Sequence, residues 1–241
     1  MSARQLLPET DAVASPWPLR IYPDVTVDVP AAPAVQTHGW HRLQGAELRR
    51  RMLHILPGFF PFLLWAIPHK DPWGPILANS VIAITAIIVI NGLWRFSAFA
   101  RPGEDNGRAS ILGYAFPVLT TMSLCRGCEE LGVMTLAILA FGDGSATVGG
   151  LLLGGKPLPW NRRKTLTGLL CFWTMGGILG TAVYWGESRP GVSWMVAASV
   201  AGVAVFVAGL LESLPSRIND NLRVGFASAA VGAVMHFMLV G

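Results

Sequence analysis

The chain has 241 residues, 52% of them hydrophobic and only 13% charged, with a mean hydropathy of +0.50. Soluble domains carry about 25% charged residues, so the composition excludes an ordinary soluble domain and points to an integral, polytopic membrane protein. The net charge of +4 and a pI near 9.3 do not indicate a nucleic-acid partner. The cations stand in short runs between apolar spans and read as orientation signals.

In chain order, residues 1–38 are rich in Pro and Ala, lack apolar periodicity, and are expected to form a loosely ordered tail. Residues 39–52 interleave Trp40, Leu43, Leu48 and Met52 with Arg42, Arg49, Arg50 and Arg51. This pattern predicts a basic amphipathic helix lying at the lipid headgroups. No secretory signal is visible before it, so the first span is expected to serve as the insertion signal.

Residues 53–241 form the expected transmembrane domain, all-α, with seven apolar segments at 53–68, 74–94, 109–125, 131–153, 165–185, 192–212 and 222–240. Pro57, Pro61 and Pro117 fall in the first and third, which are short, and predict kinks or partial insertion. Gly142-Asp143-Gly144 interrupts the fourth and predicts a broken helix. With the N-terminus cytoplasmic and the C-terminus opposite, all of the 18 Lys and Arg residues except Lys70, Arg126 and Arg189 fall on the cytoplasmic side. That asymmetry favours an odd number of spans.

The three cysteines, Cys125, Cys128 and Cys171, do not make a disulfide framework, and the single CxxC lacks the second pair of a zinc site. They read as small residues near a membrane boundary. His236, deep in the seventh span, reads as structural, and Asn79 and Asn91 as hydrogen-bonding groups between helices.

The chemistry gathers in Gly142–Gly168, GDGSATVGGLLLGGKPLPWNRRKTLTG. Asp143 is an ionisable group in an apolar span, a functional candidate by default, and a hard cation such as Mg²⁺ would offset its cost. The glycines, Gly142 and Gly144 first among them, permit close backbone approach and positive φ, which suit phosphate wrapping. At Gly150 with Gly154 and Gly176 with Gly180, four-residue spacing favours helix packing instead. Arg162, Arg163, Lys164 and Thr165 precede the fifth span, where helix N-terminal amides and cations favour anions. Glu212 closes the sixth span. Asp220 and Asn221, in the turn that follows, read either as capping residues or, with Glu212, as metal ligands or a base. His54 stands with Arg50 and Arg51 at the entrance to the first span. No Walker loop occurs.

The segments RRRMLHI (Arg49 to Ile55), GDGSATVGG (Gly142 to Gly150), KTLTG (Lys164 to Gly168) and ESLPSRINDN (Glu212 to Asn221) resemble, in this order, the CTP-dependent lipid kinases: dolichol or polyprenol kinase, phytol kinase and the yeast-type diacylglycerol kinase. The resemblance begins at residue 49. It implies nucleotide and metal binding by Asp143, Lys164, Thr165, Gly168, Glu212, Asp220 and Asn221, with Arg50, Arg51 and His54 from the first motif. Thr167 replaces the acid usual in the second motif, and Leu169 the small hydroxyl residue after its glycine. The expected reaction is phosphoryl transfer from a nucleoside triphosphate, CTP, with Mg²⁺ held by Asp143 and by Asp220 or Glu212, to a membrane lipid alcohol of prenol type. The expected site faces the cytoplasm of a bacterial inner membrane, or of an endoplasmic reticulum or plastid membrane. A phosphatidate cytidylyltransferase is the enzyme alternative, but its later HGG…DR signature is absent from Glu212 to Gly241. A transporter with a broken helix is the alternative from another class.

Overall fold

The computed structural model describes residues 51–65, 73–95, 107–188 and 191–241. The expected tail and most of the basic segment 39–52, Arg50 included, lie outside the described residues. Within them the chain forms helices α1 (Arg51–Leu64), α2 (Trp73–Trp94), α3 (Gly107–Leu124) and α4 (Glu129–Leu152), a hairpin of β1 (Pro157–Leu158) and β2 (Asn161–Thr165), then α5 (Leu166–Glu187), α6 (Trp194–Ser213) and α7 (Asp220–Leu239). Five helices are long and apolar enough to cross a membrane, in α2 over Ile76–Trp94 and in α4, α5, α6 and α7 throughout. The apolar helices at Arg51–Leu64 and Ile111–Leu124 are shorter. These two carry Pro57, Pro61 and Pro117. Pro57 opens a 3₁₀ turn over Leu56–Phe59 in α1, and Pro117 lies inside α3, where its missing N–H removes a helical hydrogen bond.

Successive helices alternate in direction. Along α1, Ile55 packs on Gly144, Gly58 on Ala140 and Phe141, and Trp65 on Gly186 at the end of α5. Gly113 of α3 meets Asn219 just ahead of α7, and Pro117 meets Gly225. The starts of α1, α3, α5 and α7 therefore share one end of the bundle with the ends of α2, α4 and α6. The hairpin lies at that end.

The residues of α4 explain its central place. Small residues stand along it at Gly132, Gly142, Gly144 and Gly149, each in close contact with a side chain of another helix, so neighbours approach it on several sides. Of its most apolar stretch 67% is buried, against 6% for that of α2. In α6, Ala197, Ala201, Ala204 and Ala208 are fully buried, and this stripe of small residues brings neighbouring backbones close.

Two expectations for the Gly142–Gly168 stretch are corrected. The fourth span is not broken at Gly-Asp-Gly. α4 continues through a widened π turn over Ile138–Asp143, because backbone hydrogen bonds in an apolar setting are shifted rather than surrendered. Positive φ is confined, within the glycine run, to Gly154 at 67° and Gly155 at 125°. These two turn the chain out of α4 into β1. Pro157–Leu158 and Asn161–Thr165 then pair as an antiparallel hairpin, with Leu158 opposite Asn161.

Candidate functional site

The hairpin sets the position of Lys164. Leu158 is buried at 2% exposure, Trp160 Nε1 donates to Ser213 Oγ at 3.1 Å, and Asn161 Nδ2 donates to the Ser213 carbonyl at 3.0 Å. β2 is thereby fixed to the end of α6, and the Lys164 ammonium comes to rest on the Glu212 carboxylate, with Asp220 Oδ2 at 3.2 Å on its other side. Asp220 Oδ1 accepts from Arg223 at 2.8 Å, and the same guanidinium nitrogen donates to the Leu214 carbonyl at 3.1 Å. Burial pulls the Lys164 ammonium towards neutrality, but the carboxylates of Glu212, Asp220 and Asp143 outweigh it and hold its pKa above the ordinary lysine value. Lys164 is a cation throughout the physiological range.

Asp143 sits deeper than a helix end. Nine residues separate it from Leu152, about 13 Å at 1.5 Å per residue. The π turn brings its carboxylate to α1, where His54 Nε2 lies 3.1 Å from Asp143 Oδ2 and 3.2 Å from the Leu139 carbonyl. Both partners are acceptors, so Nε2 carries the proton. π turns recur at functional sites because they re-aim a side chain without ending a helix. Tyr114 of α3 donates to the His54 carbonyl at 3.0 Å and stacks edge-on against its ring at 4.8 Å. Lys164 and Arg51 both act electrostatically on Asp143. The site therefore counts three carboxylates (Asp143, Glu212, Asp220) and three permanent cations (Arg51, Lys164, Arg223), with His54 beside them.

Other residues expected at the site have structural duties. Thr165 caps α5, its Oγ1 accepting from the Gly168 N–H at 3.1 Å, and Gly168 lies so close to the Ala146 carbonyl that a Cβ would stand 2.9 Å from it. Gly142 is packed on the Phe172 ring and Gly144 on Ile55. The N–H of Asn221 donates to Asn219 Oδ1 in the cap of α7. Arg162 and Arg163 are exposed on the hairpin, outside the ion-pair cluster. Away from the site, Asn79 accepts from Arg126 at 2.8 Å, as an interhelical group should, whereas Asn91 donates to Ile87 of its own helix.

Two members were not singled out from the sequence as site residues. Arg223 follows Asp220 by three positions, a spacing that puts both on one helix face, and Asp-Asn-Leu-Arg carried that signal. Tyr114 had none, since its place depends on how α3 crosses α1.

No protein-family model matches the chain, and no solved structure matches it. Similar proteins are found by sequence. "Probable phytol kinase 1, chloroplastic" of Glycine max is 27% identical over 198 residues, 76% of this chain and 65% of the relative. Phytol kinase 1 of Arabidopsis thaliana is 27% identical over 195 residues, 76% and 64% respectively. A farnesol kinase of the same plant is 25% identical over 203 residues, 78% and 66%. The chain is related to the phytol and farnesol kinases. It spans less than two thirds of the length of each of these relatives.

Proposed function

We propose that the chain is a membrane lipid kinase that transfers a phosphoryl group from a nucleoside triphosphate, CTP, to the hydroxyl of a prenol-type alcohol. The names of its relatives support the substrate class. The observation that carries the reading is the charge cluster at one end of the bundle. Lys164 stands between Glu212 and Asp220, and Asp143 lies below on its π turn.

Phosphoryl transfer asks a protein for positioning and charge stabilisation more than for covalent chemistry. Lys164 is suited to the phosphates as a point charge, and Arg162 and Arg163 line the approach. Asp143, paired with His54, lies on the inner side of the cluster, where a lipid hydroxyl entering between helices would arrive. There it accepts the hydroxyl proton or orients the oxygen, and His54 and Tyr114 hold it in place.

The reading takes Mg²⁺ as the metal of this site. Asp143, Glu212 and Asp220 are hard oxygen donors, and Mg²⁺ is held through one or two carboxylates and substrate phosphates rather than by a protein cage. His54 engages Oδ2 of Asp143, which leaves Oδ1 for a cation. As built, three carboxylates offset three cations, so a triphosphate needs added positive charge. Mg²⁺ would supply it and neutralise the charge developing on the transferred phosphoryl group.

The seven apolar segments as seven spans, with the hairpin end facing the cytoplasm, belong to the same reading. The alternating helices and the Lys/Arg asymmetry support it. Purified protein incubated with Mg²⁺, each labelled nucleoside triphosphate, and phytol, farnesol, dolichol or diacylglycerol tests the whole. A labelled prenyl monophosphate is expected with CTP, and its loss in Asp143→Asn. Absence of any labelled lipid, or full activity in Asp143→Asn, excludes the reading. A product carrying a CMP moiety, with pyrophosphate released, assigns a cytidylyltransferase instead.

A further inference from the structure

One cysteine of the CxxC, Cys128, is brought by the fold to a glutamate and a histidine. At the end of the bundle away from the hairpin, Cys128 precedes α4, Glu130 lies in its first turn and His236 in the last turn of α7. Their donor atoms all lie within 4.8 Å of one another, with His236 Nδ1 3.7 Å from Glu130 Oε1. His236 is buried, and Cys128 and Glu130 are half-buried. Along α4 the cluster stands about 22 Å from Asp143, at 1.5 Å for each of the fifteen residues between positions 128 and 143, and no step of the proposed kinase reaction uses it.

We propose that Cys128, Glu130 and His236 form a binding site for a thiophilic divalent cation of the zinc class, joining the start of α4 to the end of α7. Donor chemistry argues for this class. Thiolate and imidazole select zinc-like ions over Mg²⁺, and one thiolate with one carboxylate neutralises a divalent charge, as a site at the margin of an apolar bundle requires. Bonds of about 2.0–2.3 Å in a tetrahedron put donors roughly 3.3–3.8 Å apart; the His236–Glu130 separation of 3.7 Å already lies in that range, and the wider separations, within 4.8 Å, close by side-chain rotation when the ion binds. Tyr184 stands beside the set. Its hydroxyl is 2.6 Å from His236 Nδ1, and in the tautomer that binds a metal through Nδ1 the ring proton sits on Nε2, so the hydroxyl donates to the Nδ1 lone pair until a cation displaces it. When a cation takes that lone pair, the displaced tyrosine oxygen or a water would serve as the fourth donor, and the Cys128 thiol proton leaves to solvent.

The test uses the full chain in detergent, reduced and stripped with a chelator, titrated with Co²⁺. The expected result is about one equivalent bound, a near-ultraviolet thiolate-to-cobalt band, displacement by Zn²⁺ and no competition from Mg²⁺. Cys128→Ser loses the band, Glu130→Gln weakens binding at least tenfold, and Cys171→Ser keeps both band and affinity. Zn²⁺ raises the melting temperature of the wild type and not of Cys128→Ser. If Cys128→Ser fails to fold, the affinity of Glu130→Gln, which keeps the side-chain shape, decides. A cobalt complex without the thiolate band, a band that survives Cys128→Ser, or an unchanged affinity in Glu130→Gln overturns the site.

Discussion

Lys164 carries two burdens that substitution can separate. It neutralises the buried Glu212, which is only 4% exposed, and in the proposed reaction it binds phosphate. Lys164→Met removes both and leaves a carboxylate unpaired. Breaking such a pair costs about 3 kcal/mol, the low end of the range for buried pairs, because the lysine keeps some contact with solvent. Lys164→Met is therefore expected to lower the unfolding midpoint and to cut activity at least about 100-fold. Lys164→Met combined with Glu212→Leu should recover most of the stability and none of the activity. Recovery of both would assign Lys164 a structural role alone. The pH dependence has a definite sign. The folded-state pKa of Lys164 is raised above the ordinary 10.5, so its stabilisation is fully present below that value and is lost as pH rises through the higher one. The stability gap between wild type and Lys164→Met should stay constant from about pH 7 to about pH 10 and narrow only above that, as thermal melts across the range will show.

At the scale of elements, the contact between α1 and α4 sets the Asp143–His54 pair. Gly144 is the point of closest approach, since a Cβ there would stand 2.5 Å from Ile55 Cγ1. Gly144→Ala should push α1 outward, lengthen the His54–Asp143 contact and reduce kcat at least tenfold, with less effect on the KM for nucleotide. Ile55→Ala in the same chain should restore most of the activity by making room. A glycine needed for nucleotide binding would show the reverse, a raised KM that Ile55→Ala does not relieve. The example shows what the sequence could and could not convey. Apolar runs announce α2 and α4 to α7 because spanning length is a one-dimensional property. Asp143 stood out because a carboxylate is costly in such a run. The π turn that aims it, and Ile55 as the partner of Gly144, arise from side chains far apart in sequence. β2 was missed for a related reason. Asn161–Thr165 is charged and has no apolar alternation, and its pairing depends on the buried Leu158 and on Ser213 at the end of α6.

For the whole molecule, the proposed chemistry requires every contributing segment to open to one aqueous compartment. The start of α1, the hairpin and the α6–α7 turn meet at one end of the bundle, and the α3–α4 turn with Cys125 and Cys128 lies at the other. Among the described residues Arg51, Lys156, Arg162, Arg163, Lys164, Arg217 and Arg223 stand near the hairpin end and Arg126 near the other, and charge near span ends is as local a property as hydropathy. The polar cluster holding the end together was not legible as a cluster, since Lys164, Glu212 and Asp220 meet only after α5 and α6 have crossed the bundle and returned. The division is open to a direct test. In a chain with Cys125, Cys128 and Cys171 replaced by Ser or Ala, single cysteines are introduced at three exposed positions: Lys156→Cys on the hairpin, Ser216→Cys in the α6–α7 turn and Ser123→Cys near the end of α3. In sealed right-side-out vesicles an impermeant maleimide should label Ser123→Cys alone. In inverted vesicles it should label Lys156→Cys and Ser216→Cys, and added CTP with Mg²⁺ should slow labelling of Lys156→Cys. If Lys156→Cys and Ser216→Cys react from opposite faces, the helix ends do not share a compartment and the kinase site cannot assemble. If both react only from the outer face, the site survives and the orientation inferred from the cations is reversed.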